Sequence, residues 1–140
     1  NKVLNKIKKG DAGSAQSVRD AAERASKGHD VELDNGQGDV VDHTADETVQ
    51  HKEVNGESRI AVFGDLKKAA KQARGETGEV KPTTQAIVDV RIVNDKNPFF
   101  DADRAALADI LRNTPDLHGV DTFKISNKHG TFEFKPPDFK

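Results

Sequence analysis

Residues 38–54 constrain the fold of this chain most strongly, because their pattern is that of two short strands around a tight polar turn. Gln50 and Lys52 are two positions apart in the second strand, so their side chains should share one face of a sheet. If the turn is centred on residues 44–45, Asp39 at the start of the first strand lies roughly opposite Gln50. The hairpin therefore predicts that an acid, an amide and an ammonium group meet at one end of a sheet.

These three side chains are of the kind that a divalent cation and a scissile phosphate require. The oxygen atoms of Asp39 and Gln50 are hard ligands for a cation such as Mg²⁺. The Lys52 ammonium can hold an attacking water or stabilise the charge that develops on phosphorus. Asp39, Gln50 and Lys52 are thus candidate catalytic residues. The alternative interpretation makes Asp39 an ordinary turn residue and Lys52 a solvated strand residue.

The composition allows one folded domain with a modest core. The chain has 140 residues, of which 34% are hydrophobic and 33% charged, so its surface should be strongly ionic. The formal net charge of −2 gives no global attraction for nucleic acid, and any phosphate binding must come from a local basic patch. The absence of cysteine excludes disulfides and thiolate zinc sites.

The expected domain boundary lies near residue 14. Residues 1–13 contain four lysines and a Gly-Asp-Ala-Gly break, and the sequence contains no methionine, even at position 1. We expect residues 1–13 to be a linker from a larger polypeptide and residues 14–140 to be the functional domain. No apolar run approaches the ~18 residues of a membrane span, so we expect no span in this fragment.

Hydrophobic periodicity predicts an α/β (α+β) fold with a mixed central sheet flanked by helices. Helices are expected at 14–27, at 65–74 with Asp65 as N-cap, and from Asp101 or Asp103 to about residue 113. Strands are expected at 31–33, in the hairpin, and at 59–63, 86–93, 120–126 and 131–135. The β-branched run 86–93 should be a central strand covered on both faces.

The densest basic patch lies on the predicted helix 65–74. Lys67, Lys71 and Arg74 lie on the face opposite its alanine-rich stripe, with Gln72 as a further donor. These side chains are candidate nucleic-acid-binding residues, and their phosphate contacts would position a backbone without reading sequence. The simpler interpretation is a solvated helix face.

Three segments carry a resemblance to a known family. They are an alanine-rich first helix ending in Lys-Gly-His-Asp-Val, then Gly-Asp-Val-Val, then Val-Gln-His-Lys-Glu-Val. Together they resemble the PD-(D/E)XK nuclease superfamily, which implies a restriction-endonuclease-like core of one helix, three strands, a helix and a strand. In this resemblance Asp39 matches the first motif acid, and Gln50 and Lys52 match the acid-x-Lys pair, with glutamine in place of the acid.

The resemblance also implies a divalent cofactor, Mg²⁺ or another ion such as Mn²⁺ or Zn²⁺. Asp39 and Gln50 would bind it, and the backbone carbonyl of His51 would complete the coordination. The superfamily often adds an acid from the first helix, for which Glu23 or Asp20 is available.

The segment around residues 19–31 resembles the C-terminal toxin domains of contact-dependent growth inhibition and polymorphic toxin systems. This resemblance implies a metal-dependent endonuclease toxin that cleaves nucleic acid, with tRNA slightly favoured over DNA. It further implies a larger bacterial protein that is secreted or delivered from the cell surface, acts in the target-cell cytoplasm and is neutralised by a cognate immunity protein.

A non-enzymatic immunity or adaptor module is the alternative function. The near-neutral charge and the missing second motif acid favour it. His43 should share a face with Asp39, whereas Asp42 should lie on the opposite face and have a structural role.

Overall fold

The computed structural model describes residues 15–33, 40–74, 84–114, 117 and 119–135. The helices are α1 (Ala15–Ser26), α2 (Arg59–Arg74) and α3 (Arg104–Asn113). The strands are β1 (Val31–Leu33), β2 (Val40–Asp42), β3 (Glu47–Val54), β4 (Gln85–Ile92), β5 (Thr122–Asn127) and β6 (Gly130–Phe134). The strands form one mixed sheet in the order β1-β2-β3-β4-β5-β6, so the predicted α+β class is confirmed.

The direction of each strand follows from the connection before it. β1, β2 and β3 pair antiparallel through short connections, as do β5 and β6. β3–β4 and β4–β5 are parallel pairs, which need long crossovers, and α2 and α3 supply them. β4 is central, and its residues 86–90 are all buried, as predicted for the run 86–93.

The β2–β3 hairpin has the turn that its sequence predicts. Val40 pairs with Val49 and Asp42 with Glu47, so the turn at 43–46 is centred between positions 44 and 45. Asp46 closes the turn with a positive φ of 60°, a conformation that aspartate tolerates better than most residues. Val40 is the first described residue of β2, and Asp39 lies outside the described residues.

The predicted strand at 59–63 is wrong, because these residues form the first turn of α2. Val62 extends a buried helical stripe that continues through Leu66, Ala69, Ala70 and Ala73. Ser58, and not Asp65, precedes the helix, and its Oγ accepts the Ala61 N–H at 3.3 Å. A short apolar run fits a strand and a helix equally, and here burial against the sheet selects the helix.

A polar side chain marks the start of α3, and polar residues separate the last two strands. Asp103 is the N-cap of α3, since its carboxylate accepts the Ala106 N–H at 2.9 Å, and this decides between Asp101 and Asp103. The last two strands pair as the predicted hairpin, with Lys128 and His129 between them. Among the described helices, none is long and apolar enough to span a membrane.

The two faces of the sheet are covered differently. α2 and α3 cover one face, whose core includes Leu66, Leu107 and Phe123. α1 covers part of the other face over a small apolar cluster of Ala21, Val40, Val49 and Ile87. The α1 face therefore has room for polar side chains.

Candidate active site

A polar cleft of about 250 Å³, here called the α1 cleft, lies between α1 and the sheet. Neighbouring strands bring His51, Asp89 and Lys124 into one row, because these residues pair in register across β3, β4 and β5. One face of α1 forms the opposite wall of the cleft, because residues three or four positions apart lie on the same side of a helix. Its lining residues include Gln16, Arg19, Asp20 and Arg24.

His51 lies at the base of the cleft between two carboxylates. Its side chain is 3% exposed, with Nε2 2.9 Å from Asp20 Oδ2 and Nδ1 3.0 Å from Asp89 Oδ2. Burial disfavours the charged ring, but the interactions with Asp20 and Asp89 outweigh it and raise the pKa of His51 to about 9. The imidazolium therefore links α1 to β4 at neutral pH.

Arg24 continues this network away from the cleft. Its Nε donates to Asp20 Oδ1 at 2.8 Å, and its Nη1 donates to Asp42 Oδ2 at 3.0 Å and Glu47 Oε1 at 2.7 Å. Asp42 also contacts His29 Nδ1 at 2.7 Å. Burial opposes ionisation of both aspartates, but these hydrogen bonds hold the pKa of Asp20 and the pKa of Asp42 below the ordinary value. A chain of alternating charges thus runs from Asp89 through His51, Asp20 and Arg24 to Asp42.

Asp89 keeps one acceptor without a partner. Its Oδ2 accepts the Gln16 amide N–H at 2.7 Å, whereas its Oδ1 is buried and has no hydrogen-bond partner among the described residues. Gln16 Oε1 is in the same state. Unsatisfied buried polar atoms are rare, and they are candidates for contact with a ligand or a water.

The structure places Gln50 and Lys52 on the other face of the sheet. They pair with Val88 and Val90, which belong to the core beneath α2 and α3. The two side chains share a face as predicted, but that face is not the one that carries the α1 cleft. Gln50 is buried and Lys52 is half-buried.

Of the predicted metal ligands, His51 and Glu23 both line the α1 cleft, Gln50 lies on the opposite face of the sheet, and Asp39 lies outside the described residues. Glu23 is on α1, where its side chain is 70% exposed and lies 3.4 Å from Lys27, so Asp20 is the helical acid that reaches the sheet. Gln50 lies across the sheet from Glu23. No group of three His, Asp or Glu residues within the described ranges could hold a metal ion.

The predicted nucleic-acid-binding residues are also remote from the cleft. Lys67 and Lys71 lie on α2, which packs against the opposite face, and the Arg74 side chain lies outside the described residues. His43 is in the β2–β3 turn, with Nε2 3.0 Å from Glu32.

Sequence reasoning missed Asp89, Lys124, Gln16 and Arg19. One signal was available for Asp89, which is the single acid in the most hydrophobic run of the chain, residues 86–93. An acid in a doubly covered strand needs a partner, so it marks a polar site. No comparable signal marked Lys124, whose neighbour on β4 depends on the strand register.

Comparisons of this chain with protein-family models, with curated proteins and with solved structures found no match.

Proposed function

We propose that this chain is an endonuclease that cleaves phosphodiester bonds, and that the α1 cleft is its active site. The observation that carries this proposal is the position of His51, which lies between the carboxylates of Asp20 and Asp89 at the base of a cleft. A buried titratable group with a displaced pKa and specific charged partners in a cleft is typical of a catalytic centre.

The proposed reaction is hydrolysis by acid and base catalysis. The oxygen of a water forms a bond to phosphorus while the bond from phosphorus to the leaving oxygen breaks. Asp89 accepts the proton of the water through Oδ1. The leaving oxygen takes the proton on Nε2 of His51, and in the free protein this N–H is hydrogen-bonded to Asp20. Asp89 then releases its proton to solvent and His51 regains one, so that one water is consumed.

The surrounding charges have supporting roles in this proposal. Asp20 orients the His51 ring, and Arg24 in turn holds Asp20. Lys124 and Arg19 line the cleft and would neutralise the phosphoryl oxygens, whose charge increases in the transition state.

The resemblance to PD-(D/E)XK nucleases adds a divalent cation to this proposal. Asp20 and Asp89 are ligands of the type that Mg²⁺ takes, but the described residues do not form a preformed site for it. We therefore assign no step to the cation. A requirement for Mg²⁺, Mn²⁺ or Zn²⁺ remains a prediction, but Gln50 faces away from the α1 cleft and would not bind a cation there.

The biological role in the proposal is that of a toxin. Delivery from a larger bacterial protein, action in the target-cell cytoplasm, preference for tRNA over DNA and neutralisation by an immunity protein are supported by the sequence resemblance alone.

The test is to incubate the protein with total RNA and with plasmid DNA, adding Mg²⁺, Mn²⁺, Zn²⁺ or a chelator. We expect cleavage of at least one substrate by the intact chain and its loss in His51→Gln, with Lys67→Gln as the matched surface control. Loss of cleavage with chelator would show that a cation is required. No cleavage of any substrate under any condition would overturn the proposal.

A non-enzymatic immunity or adaptor module is the second candidate. The near-neutral net charge and the glutamine in place of the second motif acid favour it. Its signature would be lack of cleavage together with stoichiometric binding to a basic protein partner.

A further inference from the structure

A second groove, of about 340 Å³, continues from the α1 cleft toward β6. The two depressions share Gln16 and Arg19 of α1, so a long ligand could occupy both. Beyond these shared residues, the second groove is lined by Arg91 of β4, Ser126 of β5 and Thr131 of β6.

Three cations along this path form no direct ion pair within the described residues. Lys124 lines the cleft, Arg91 lines the second groove and Arg19 lines both. Within the described residues, none of the three forms a hydrogen bond or ion pair, whereas Arg24 on the same face contacts three carboxylates. Acids adjoin two of these cations in the sheet, Asp89 and Glu133 beside Lys124 and Glu53 beside Arg91, but no direct ion pair in the described part of the chain occupies them, so they are available to an external anion.

Hydroxyl groups follow the cations. Ser126 Oγ and Thr131 Oγ1 form a 2.8 Å hydrogen bond across β5 and β6, and the hydroxyl that accepts in this pair can donate its own hydrogen to a phosphate oxygen. Among the described lining residues of the second groove there is no aromatic ring on which a base could stack. These donors suit a phosphate backbone better than nucleobases.

We infer that Arg19, Arg91, Lys124, Ser126 and Thr131 form a phosphate groove, which binds the backbone of a nucleic acid strand beside the bond that is cut in the α1 cleft. The position of the cut rests on the proposed function, whereas backbone binding can be measured without cleavage. The groove is on the opposite face of the sheet from Lys67 and Lys71, so the two basic surfaces give different predictions.

The experiment measures fluorescence anisotropy of a labelled single-stranded oligonucleotide, whose integrity is checked on a denaturing gel. Arg91→Gln and Lys124→Gln should each weaken binding about three- to tenfold. Each should also lower the slope of log affinity against log salt by about 0.7, the value for one lost single-strand phosphate contact. The matched control, Lys67→Gln with Lys71→Gln on α2, should leave both values unchanged.

Four outcomes would overturn the groove. They are no binding by the intact chain, unchanged affinity in both groove variants, a larger loss in the α2 control, and equal binding of labelled polyglutamate of the same charge. Arg91 and Lys124 have no partners to lose among the described residues, so both variants should fold, which circular dichroism checks.

The assay separates the two proposals. Binding that depends on the groove without cleavage would support the phosphate groove and refute the proposed function. Cleavage with unchanged binding in the groove variants would support the proposed function and refute the groove.

Discussion

The two faces of the sheet bury different kinds of side chain. Among the described residues, the face beneath α2 and α3 has a core cluster of twenty buried apolar residues, whereas the cluster beneath α1 has four. Hydrophobic burial therefore stabilises the fold mainly from one side. The α1 face instead buries His51, Asp42 and Asp89, which require charged or hydrogen-bonding partners. Concentrating the apolar contacts on one face leaves the other available for chemistry.

This contrast is sharpest at two adjacent residues of β3, His51 and Lys52. If the α1 cleft is the active site, His51→Gln should lower the cleavage rate by about 10²–10⁴-fold, the usual contribution of acid–base catalysis. Lys52→Gln should change it only a few-fold, because Lys52 lies on the other face. Initial rates on the best substrate measure both. If Lys52→Gln lowered the rate more than His51→Gln, and Asp39→Ala were also inactive, the active site would instead be the one predicted from Asp39 and Lys52.

The apolar face should dominate stability. Leu66→Ala should lower the free energy of unfolding by about 2–5 kcal/mol, because Leu66 is fully buried and its loss leaves a cavity. Ile60→Ala in the same helix is the control, with an expected change within about 0.5 kcal/mol, because Ile60 is 78% exposed. Urea unfolding measures both. Similar losses in the two variants would contradict the assignment of the core.

The polar face should make stability depend on pH. Because the pKa of His51 rises from 6.5 to about 9 on folding, its stabilisation is complete below about pH 6.5 and is lost as pH rises through 9. The stabilisation lost is on the order of a few kcal/mol. Urea unfolding between pH 6 and 10 should show this loss, and His51→Gln should remove it. If the free energy of unfolding fell with pH as steeply in His51→Gln as in the unaltered protein, a group other than His51 would be responsible.

Two acids of α1 test the same face with a smaller effect. Asp20→Asn keeps the size of the side chain but removes the charge that faces His51 and Arg24, so it should cost about 1–2 kcal/mol. Glu23→Gln should cost less than about 0.5 kcal/mol, because Glu23 is exposed. Thermal unfolding of both variants is the measurement. Equal losses of stability in the two variants would show that the contacts of Asp20 stabilise the protein no more than those of the exposed Glu23.

Much of the fold could be predicted because its signals are local. The hairpin turn, the apolar run of β4 and the Asp103 cap each depend on a few neighbouring residues. The segment 59–63 could not be assigned in this way, since only packing against the sheet distinguishes a strand from a helix there.

The candidate site was harder to predict because it depends on register and on the choice of face. His51, Asp89 and Lys124 come from three strands, and their alignment is set by long-range pairing. Along β3 the side chains alternate, so a motif that selects Gln50 and Lys52 necessarily excludes the side chain of His51 from the same face.

α1 is attached to the sheet at two places, and the two attachments differ in chemistry. The guanidinium of Arg24, which does not lose its proton at ordinary pH, ties the C-terminal half of the helix to Asp42 and Glu47. The N-terminal half is attached through Asp20, Gln16 and the ionisable His51. Loss of the His51 charge at alkaline pH should therefore weaken the attachment of the N-terminal half alone, where the hydrogen bond from Gln16 to Asp89 would become the main remaining link to the sheet.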